Sequence, residues 1–400
     1  MNVSDIHNCF GCGVCAVVCS KNIIDIRLNE DGFLEPFIKD VTRCTDCGLC
    51  IEVCAFSHDS YALVDRTNNA YGAWSKEFAV QRKCSSGGVG FEVGRYLLSQ
   101  NYKVVGCRYN VEKGRAEHYI ATDLLGLIPS IGSKYIQSYT VDAFKAINRK
   151  EKYLVTGTPC QIESFRRYIQ KFRCEDNFVL MDFFCHGVPS MLMWNKYVKL
   201  IEQKTGKVTY VSWRSKQTGW HDSWVMGING ELHGEIGHRC DSYDSLIKED
   251  KTIINSRLSQ GDIFYKLFLG TFCGNPACIK DCRFKYDKSS ADIRLGDAWG
   301  TLYDKNENGV SAVIAFTERG NNILNACNIN LIRHSFNDIA EGQMKKNAVP
   351  AKLSFIARKM LKSPNVYSEK IWKILIKTES FLHIPHLIKK KLIKLISESK

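Results

Sequence analysis

Eight cysteines near the front of the chain constrain it more than any other feature. Cys9, Cys12, Cys15 and Cys19 form a C-x2-C-x2-C-x3-C run, and Cys44, Cys47, Cys50 and Cys54 repeat it. Three thiolates in a tight loop cap one face of a cubane cluster, and the fourth sulfur, one turn further on, points the other way. That fourth cysteine therefore serves the other cluster. The expected sets are Cys9, Cys12, Cys15 with Cys54, and Cys44, Cys47, Cys50 with Cys19, as in bacterial two-cluster ferredoxins. Two [4Fe-4S] clusters follow from that spacing. Gly13 and Gly48 stand between the second and third cysteines of the two runs, where the backbone turns closely around sulfur. Zinc sites are built from paired C-x2-C knuckles, and this doubled run does not have their pattern. Disulfides need an oxidising compartment, whereas the opening MNVSDIHNCF contains no apolar signal segment. One departure from the ferredoxin pattern is that Ser20 and Ala55 replace the proline that usually follows each fourth cysteine.

The chain has 400 residues, far more than such a module needs. With 44% hydrophobic and 24% charged residues it can build a sizeable core behind the cysteine loops. No apolar run is long enough to span a membrane. Eighteen cysteines without a signal segment lead us to expect a reducing cytoplasm, metal use and the oxygen sensitivity of an anaerobe's protein. The net charge is +13, and residues 343–400 hold 14 Lys and Arg against 3 Asp and Glu, a local +11. The basicity therefore belongs to one appendage, and nucleic acid is not expected as a partner.

Beyond the loops, Tyr61 to Val64 reads as a closing strand and Asp65 to Trp74 as a polar linker. A strand and helix alternation follows. Phe91–Gln100, Asp142–Lys150, Gln161–Phe172 and Met191–Gln203 carry helical patterns. Tyr102–Tyr109, Tyr153–Thr156 and Phe178–Phe184 read as strands. This alternation predicts an α/β body with a largely parallel sheet. Residues 208–235 change character, and Asn229-Gly230 suggests the turn of an antiparallel hairpin. Ile293–Leu295 and Ser311–Phe316 read as returning strands, and Asn321–Asn328 as a helix.

Four short stretches fall where strands meet helices or loops: Lys83-Cys84-Ser85-Ser86-Gly87-Gly88, Gly157-Thr158-Pro159-Cys160-Gln161, the run from Asp182 to Gly187 (DFFCHG), and the run from Ala291 to Gly300 (ADIRLGDAWG). The first two suit phosphate or flavin cradling, because glycines allow close backbone approach and the following helix presents free N–H groups. Each alone is equally a plain structural turn. Together, in this order and behind the paired cysteine loops, they make residues 1–325 resemble the coenzyme F420 hydrogenase/dehydrogenase beta-subunit family.

That resemblance implies an α/β body behind a ferredoxin module, with FAD and iron-sulfur clusters passing electrons between one-electron centres and a two-electron organic acceptor. It implies a flavin site at Ser85, Ser86, Gly87 and Gly88 with Thr158 and Gln161, and with Asp297 and Trp299 as neighbours. Core packing is an equal reading of Trp299. The resemblance also suggests a third [4Fe-4S] cluster, held by Cys160, Cys185, Cys278 and Cys282. Here the last pair is C-x3-C instead of the family's C-x2-C, and Cys273 is an alternative ligand. Buried structural thiols are the competing reading. His186, next to Cys185, suits proton donation to a reduced substrate or a hydrogen bond to the flavin; fixing a loop is the competing role.

The expected architecture is an α+β ferredoxin-like N-terminal module, a larger α/β domain with a mixed, largely parallel sheet, and a basic helical C-terminal tail. Its parts are the two-cluster module (1–63), a linker (64–82), two halves of the flavin-binding body (83–200 and 201–342, the second with the hairpin and the later cysteines) and the tail (343–400). In the tail, residues 371–377 and 386–396 (HLIKKKLIKLI) alternate apolar and basic residues around Pro385. A solvated helix packed on its own domain, a partner-docking element and peripheral contact with the inner face of a membrane all remain open for it. The function expected is an iron-sulfur flavoprotein oxidoreductase. Its electrons would be exchanged with a soluble ferredoxin or redox partner subunit and with an organic substrate. A surface-polysaccharide intermediate is one such substrate, since similar proteins occur with those enzymes. A deazaflavin oxidoreductase subunit and a non-catalytic electron-transfer subunit are the alternatives.

Overall fold

A computed structural model describes residues 2–6, 9–233, 243, 247, 252–364 and 368–382. The basic run at 386–396 lies outside them. Among the described residues three sheets form. A hairpin of β1 (Ile24–Leu28) and β2 (Leu34–Ile38) separates the two cysteine loops. The central sheet takes β3 (Asn69–Ser75), β4 (Lys103–Asn110), β5 (Arg115–Ala121), β6 (Ser138–Tyr139), β7 (Tyr153–Thr156) and β8 (Phe178–Phe183). A three-stranded antiparallel sheet of β9 (Val208–Ser212), β10 (Val225–Gly230) and β11 (Ile254–Arg257) is inserted next. The chain then returns to the central sheet through β12 (Ile293–Asp297), β13 (Ser311–Ala315) and β14 (Ile329–His334).

The central sheet has the order β14-β3-β13-β12-β8-β7-β4-β5-β6. It is mixed: β12, β8, β7 and β4 run parallel in the middle, β5 and β6 pair in parallel, and the other pairings are antiparallel. The apolar runs YLVT and FVLMDF are buried on both faces because side chains alternate along a strand. Tyr153, Val155, Phe178 and Leu180 face the helix Pro159–Lys171, while Leu154, Val179 and Met181 face the helix Val89–Ser99.

The first of these cores also contains Val14, Ala16, Val18, Ile24, Ile26 and Val53. The cysteine module therefore shares one apolar core with the body and is not a bead on a string. Polar clasps fix it in place. Gln137 accepts from Leu34 N at 2.7 Å and donates to Phe10 O at 3.0 Å, and Thr140 Oγ1 donates to Cys12 O at 2.8 Å.

Several sequence expectations need correction. The supposed linker 64–82 holds β3, an interior strand between β14 and β13, and the helix Phe78–Lys83. Tyr61 to Val64 is not a strand. The N–H groups of Ala62 and Leu63 go instead to Glu163 and to Ser290 Oγ. Asn229 and Gly230 are not a hairpin turn but the bulged end of β10, where a side chain on Gly230 would meet the Thr205 carbonyl. The helix expected over 142–150 stops at Lys145.

The tail is bound to the body as far as it is described. Ala357 and Leu361 of the helix Ser354–Lys362, and Trp372 and Leu375 of the helix 369–382, enter a core with Trp194, Tyr197 and Phe264. No helix among the described residues is long and apolar enough to cross a membrane.

Candidate redox centre

The two cysteine loops are built alike. Gly13 and Gly48 take left-handed conformations, φ 79° and 71°, and each starts a short helix, Val14–Val18 and Leu49–Glu52, that carries the third cysteine. The glycines differ in surroundings. A Cβ on Gly13 would collide with Thr140 Oγ1, whereas one on Gly48 would meet open space. Gly48→Ala should therefore cost only the left-handed backbone penalty of about 1–2 kcal/mol. Gly13→Ala should cost more and also lower iron retention at the first loop. Chemical denaturation and iron content of the two variants check this ordering.

The surroundings of the thiols group Cys54 with the first loop and Cys19 with the second. Burial, then the neighbouring Cys12 and Cys54, push Cys9 up; burial and Cys54 push Cys12 up to about 11. Cys15 is raised by burial and by Cys12, Cys9 and Cys54. Ser164, on the helix Pro159–Lys171, joins the loops, since its Oγ lies 3.3 Å from Cys12 Sγ and accepts from Ala55 N at 2.9 Å. Cys19 lines a cavity with Cys44, Cys47 and Cys50, and Cys47 is exposed. The residues present thus fit two cubane clusters, one buried and one at the surface. Among the described residues no three His, Cys, Asp or Glu side chains close on a single metal ion. Sulfurs around a cubane stand further apart than the ligands of one ion.

A third group of thiols gathers beyond the buried set. Cys160 opens the helix Pro159–Lys171, Cys185 follows β8, Cys278 lies on the helix Pro276–Lys280 and Cys282 just after it. Burial and the neighbouring Cys278, Cys185 and Cys12 raise Cys160. Burial with Cys185 and Cys282 pushes Cys278 up to about 12. Cys273 stands apart, buried in the core with Phe264 and Phe268, and its charged neighbour is Arg358. The thiols thus form a row. Exposed Cys47 leads to Cys50, which neighbours Cys15, and Cys12 neighbours Cys160.

The row ends at the carboxyl edge of the parallel strands, where open α/β sheets place their ligands. Thr156, Phe183 and Asp297 end β7, β8 and β12 there. The Ser85–Gly88 loop reaches the same edge through β13: Ser86 Oγ donates to Val310 O at 2.8 Å, a carbonyl that also accepts from Ala298 N at 2.9 Å. All four motifs therefore meet. Their polar groups are largely engaged within the chain. Ser85 Oγ accepts from Ser133 N at 2.9 Å, Gly87 N donates to Ser311 Oγ at 3.0 Å, and Gly88 begins the helix Val89–Ser99 in a left-handed turn. Thr158 and Gln161 form a capping box on the helix Pro159–Lys171, and Thr158 Oγ1 is 3.1 Å from Cys160 Sγ.

Asp297 accepts from Arg214 at 3.0 Å and from Trp220 Nε1 at 2.9 Å. Trp299 stacks on Trp220, ring centres 4.7 Å apart and 12° from parallel. His186 lines a small pocket with Phe268, Thr271, Cys278 and Ala348. Its Nε2 is buried and makes no hydrogen bond among the described residues, and burial, then Lys285, pull its pKa down to about 4.

Sequence reasoning missed the cations of this edge. Lys134 Nζ donates to the carbonyls of Pro129, Ser130 and Ile131, and Lys216 Nζ to those of Gln81, Ser86 and Asn308. Both flank Cys84, and burial lowers them to about 8 and about 7. Arg214 is buried against Asp297, Ser223 and Tyr135. In the sequence these are unremarkable members of SKY and WRSK, with no spacing that marks them.

Residues 150–335 match the family described as the C terminus of the coenzyme F420 hydrogenase/dehydrogenase beta subunit, and residues 8–57 match a 4Fe-4S dicluster domain. Among solved structures, the xenon-derivatised F420-reducing [NiFe] hydrogenase complex from Methanosarcina barkeri aligns with 76% of this chain and 90% of its own, at 16% identity and a TM-score of 0.43. No curated protein matches the sequence.

Proposed function

This chain belongs to the coenzyme F420 hydrogenase/dehydrogenase beta-subunit family, with a 4Fe-4S dicluster domain in front, and from that premise we propose that it is an iron-sulfur flavoprotein oxidoreductase. It passes electrons between ferredoxin-type clusters and an organic two-electron substrate through FAD. The observation that carries this reading is the row of three cysteine sets running from exposed Cys47 to the edge where the four motifs meet. When bound, iron-sulfur clusters supply one-electron steps and a flavin joins them to two-electron chemistry.

The chain's own residues serve that chemistry in distinct ways. Cys160, Cys185, Cys278 and Cys282 hold the third cluster. The Ser85–Gly88 loop, with the positive charge of the Lys134 and Lys216 ammonium groups beside it, suits a phosphate-bearing cofactor. Gly132 leaves that side open, since a Cβ there would come no nearer than 4.0 Å to Ser85 Oγ. Asp297, held by Arg214 and Trp220, and the Trp299 ring form the other wall. His186, whose buried Nε2 makes no hydrogen bond among the described residues, suits a hydrogen bond to a reacting group beside Cys278. Exposed Cys47 is where a soluble ferredoxin or partner subunit exchanges electrons. Candidate substrates for screening are the deazaflavin coenzyme and the sugar or lipid-linked intermediates of surface polysaccharides.

One observation favours a second reading, a non-catalytic electron-transfer subunit: Ser85, Ser86, Thr158 and Gln161 already use their polar groups within the chain. Cofactor content separates the two. Anaerobically purified protein should contain about twelve irons and one FAD per chain. About eight irons without flavin would instead leave a two-cluster carrier that works only with its partner.

A further inference from the structure

The helix 369–382 presents three faces. The first is buried: Trp372 and Leu375 enter the core, and Glu379 accepts from the backbone N–H groups of Lys352 and Leu353, each at 2.9 Å. The second is apolar and lies in solvent, with Ile374 63% and Phe381 66% exposed and Ile371 and Leu382 beside them. The third carries Lys370, Lys373 and Lys377. At 3.6 residues per turn the apolar and lysine strips run side by side along the outward half of the helix. A helix packed on a globule ordinarily turns polar residues to water. This one turns an isoleucine and a phenylalanine outward although its core face is already satisfied.

We propose that this outward half is a docking surface for an anionic lipid membrane, independent of which redox reading holds. Charge complementarity selects the occupant. Glu379 is spent on the backbone, and Glu369 pairs with Lys373 at 2.6 Å and stands 3.9 Å from Lys204, so the excess positive charge of the outward half comes from Lys370 and Lys377. The outward half is therefore apolar and net cationic, with Thr378 and Ser380 as its neutral polar residues. Residues 343–400 carry 14 basic against 3 acidic residues, and the sequence continues past the helix with four more lysines among apolar residues in HLIKKKLIKLI. Lysines beside an apolar strip suit a helix lying in the headgroup plane, where apolar side chains enter the acyl boundary and ammonium groups meet anionic phosphates.

The test uses the full chain with its cofactors, sedimented with vesicles of phosphatidylcholine alone or mixed with phosphatidylglycerol. We expect binding to the mixed vesicles, weakened by added salt, and little binding to the neutral ones. Ile374→Glu with Phe381→Glu should reduce partitioning by at least about tenfold. Since both side chains are exposed, the circular dichroism spectrum should not change. Equal sedimentation of wild type and double variant would overturn the proposal, as would binding to neither kind of vesicle. So would concentration-dependent self-association that the double variant abolishes, which would assign the face to a second copy of the chain.

Discussion

Alanine at both Cys278 and Cys282 should lower the iron of anaerobically purified protein by about four per chain, from about twelve to about eight. The ferredoxin loops should keep theirs. The reason lies in where the thiols sit. Burial and neighbouring sulfurs oppose the ionisation of Cys160, Cys185 and Cys278, so these side chains are unfavourable neighbours as bare thiolates and favourable ones as ligands, because a bound metal centre deprotonates them outright. Cys273→Ala provides the control. Although it lies close in sequence, its side chain belongs to the aromatic core and not to this group, so its removal should leave iron unchanged and cost only stability. Unchanged iron in the double variant would remove the third cluster from the proposed function, and a loss in Cys273→Ala would move a ligand.

The contrast between Cys273 and Cys278 shows what a sequence can carry. Spacing alone placed both in one short stretch, CGNPACIKDC, and offered either as a ligand. Three-dimensional packing separates them, because the helix Pro276–Lys280 begins between them and turns Cys278 toward Cys185. The two ferredoxin loops were legible for the opposite reason: their geometry is local, set by three-residue steps and a left-handed glycine, so the spacing is the structure. The apolar strands β7 and β8 were legible from their continuous burial. β3 was not. Asn69 and Gly72 are poor strand formers, and the strand forms because β13 and β14 close on either side of it, a pairing made across more than 230 residues of chain. The cations Arg214 and Lys216 were hidden likewise, since nothing near them in sequence says that they reach the edge where Ser86 and Asp297 stand.

Arg294→Met should be the most destabilising single change in the body. Asp182 and Arg294 face each other across the parallel pair of β8 and β12, each side chain fully buried, joined by two 2.7 Å hydrogen bonds. Ser289 Oγ donates to the same carboxylate at 2.7 Å, and a further guanidinium N–H goes to the Tyr286 carbonyl. Burial still holds the Asp182 carboxyl above its usual range, so its charge depends on its partners. Removing the guanidinium strands a carboxylate in the core, which costs about 3–5 kcal/mol. Replacing both partners, as Asp182→Leu with Arg294→Met, should recover most of that loss, because the penalty comes from the unpaired charge and not from the missing pair. The pair also bridges the two strands that lead to Cys185 and Asp297. The single variant should therefore lose iron at the third site as well as shift its urea midpoint, while the loops at Cys9–Cys54, held by Gln137, Thr140 and Ser164, keep theirs. A single variant with an unchanged midpoint would show that the buried carboxylate is taken up protonated at no cost, and would remove the pair as the element that aligns this edge of the sheet.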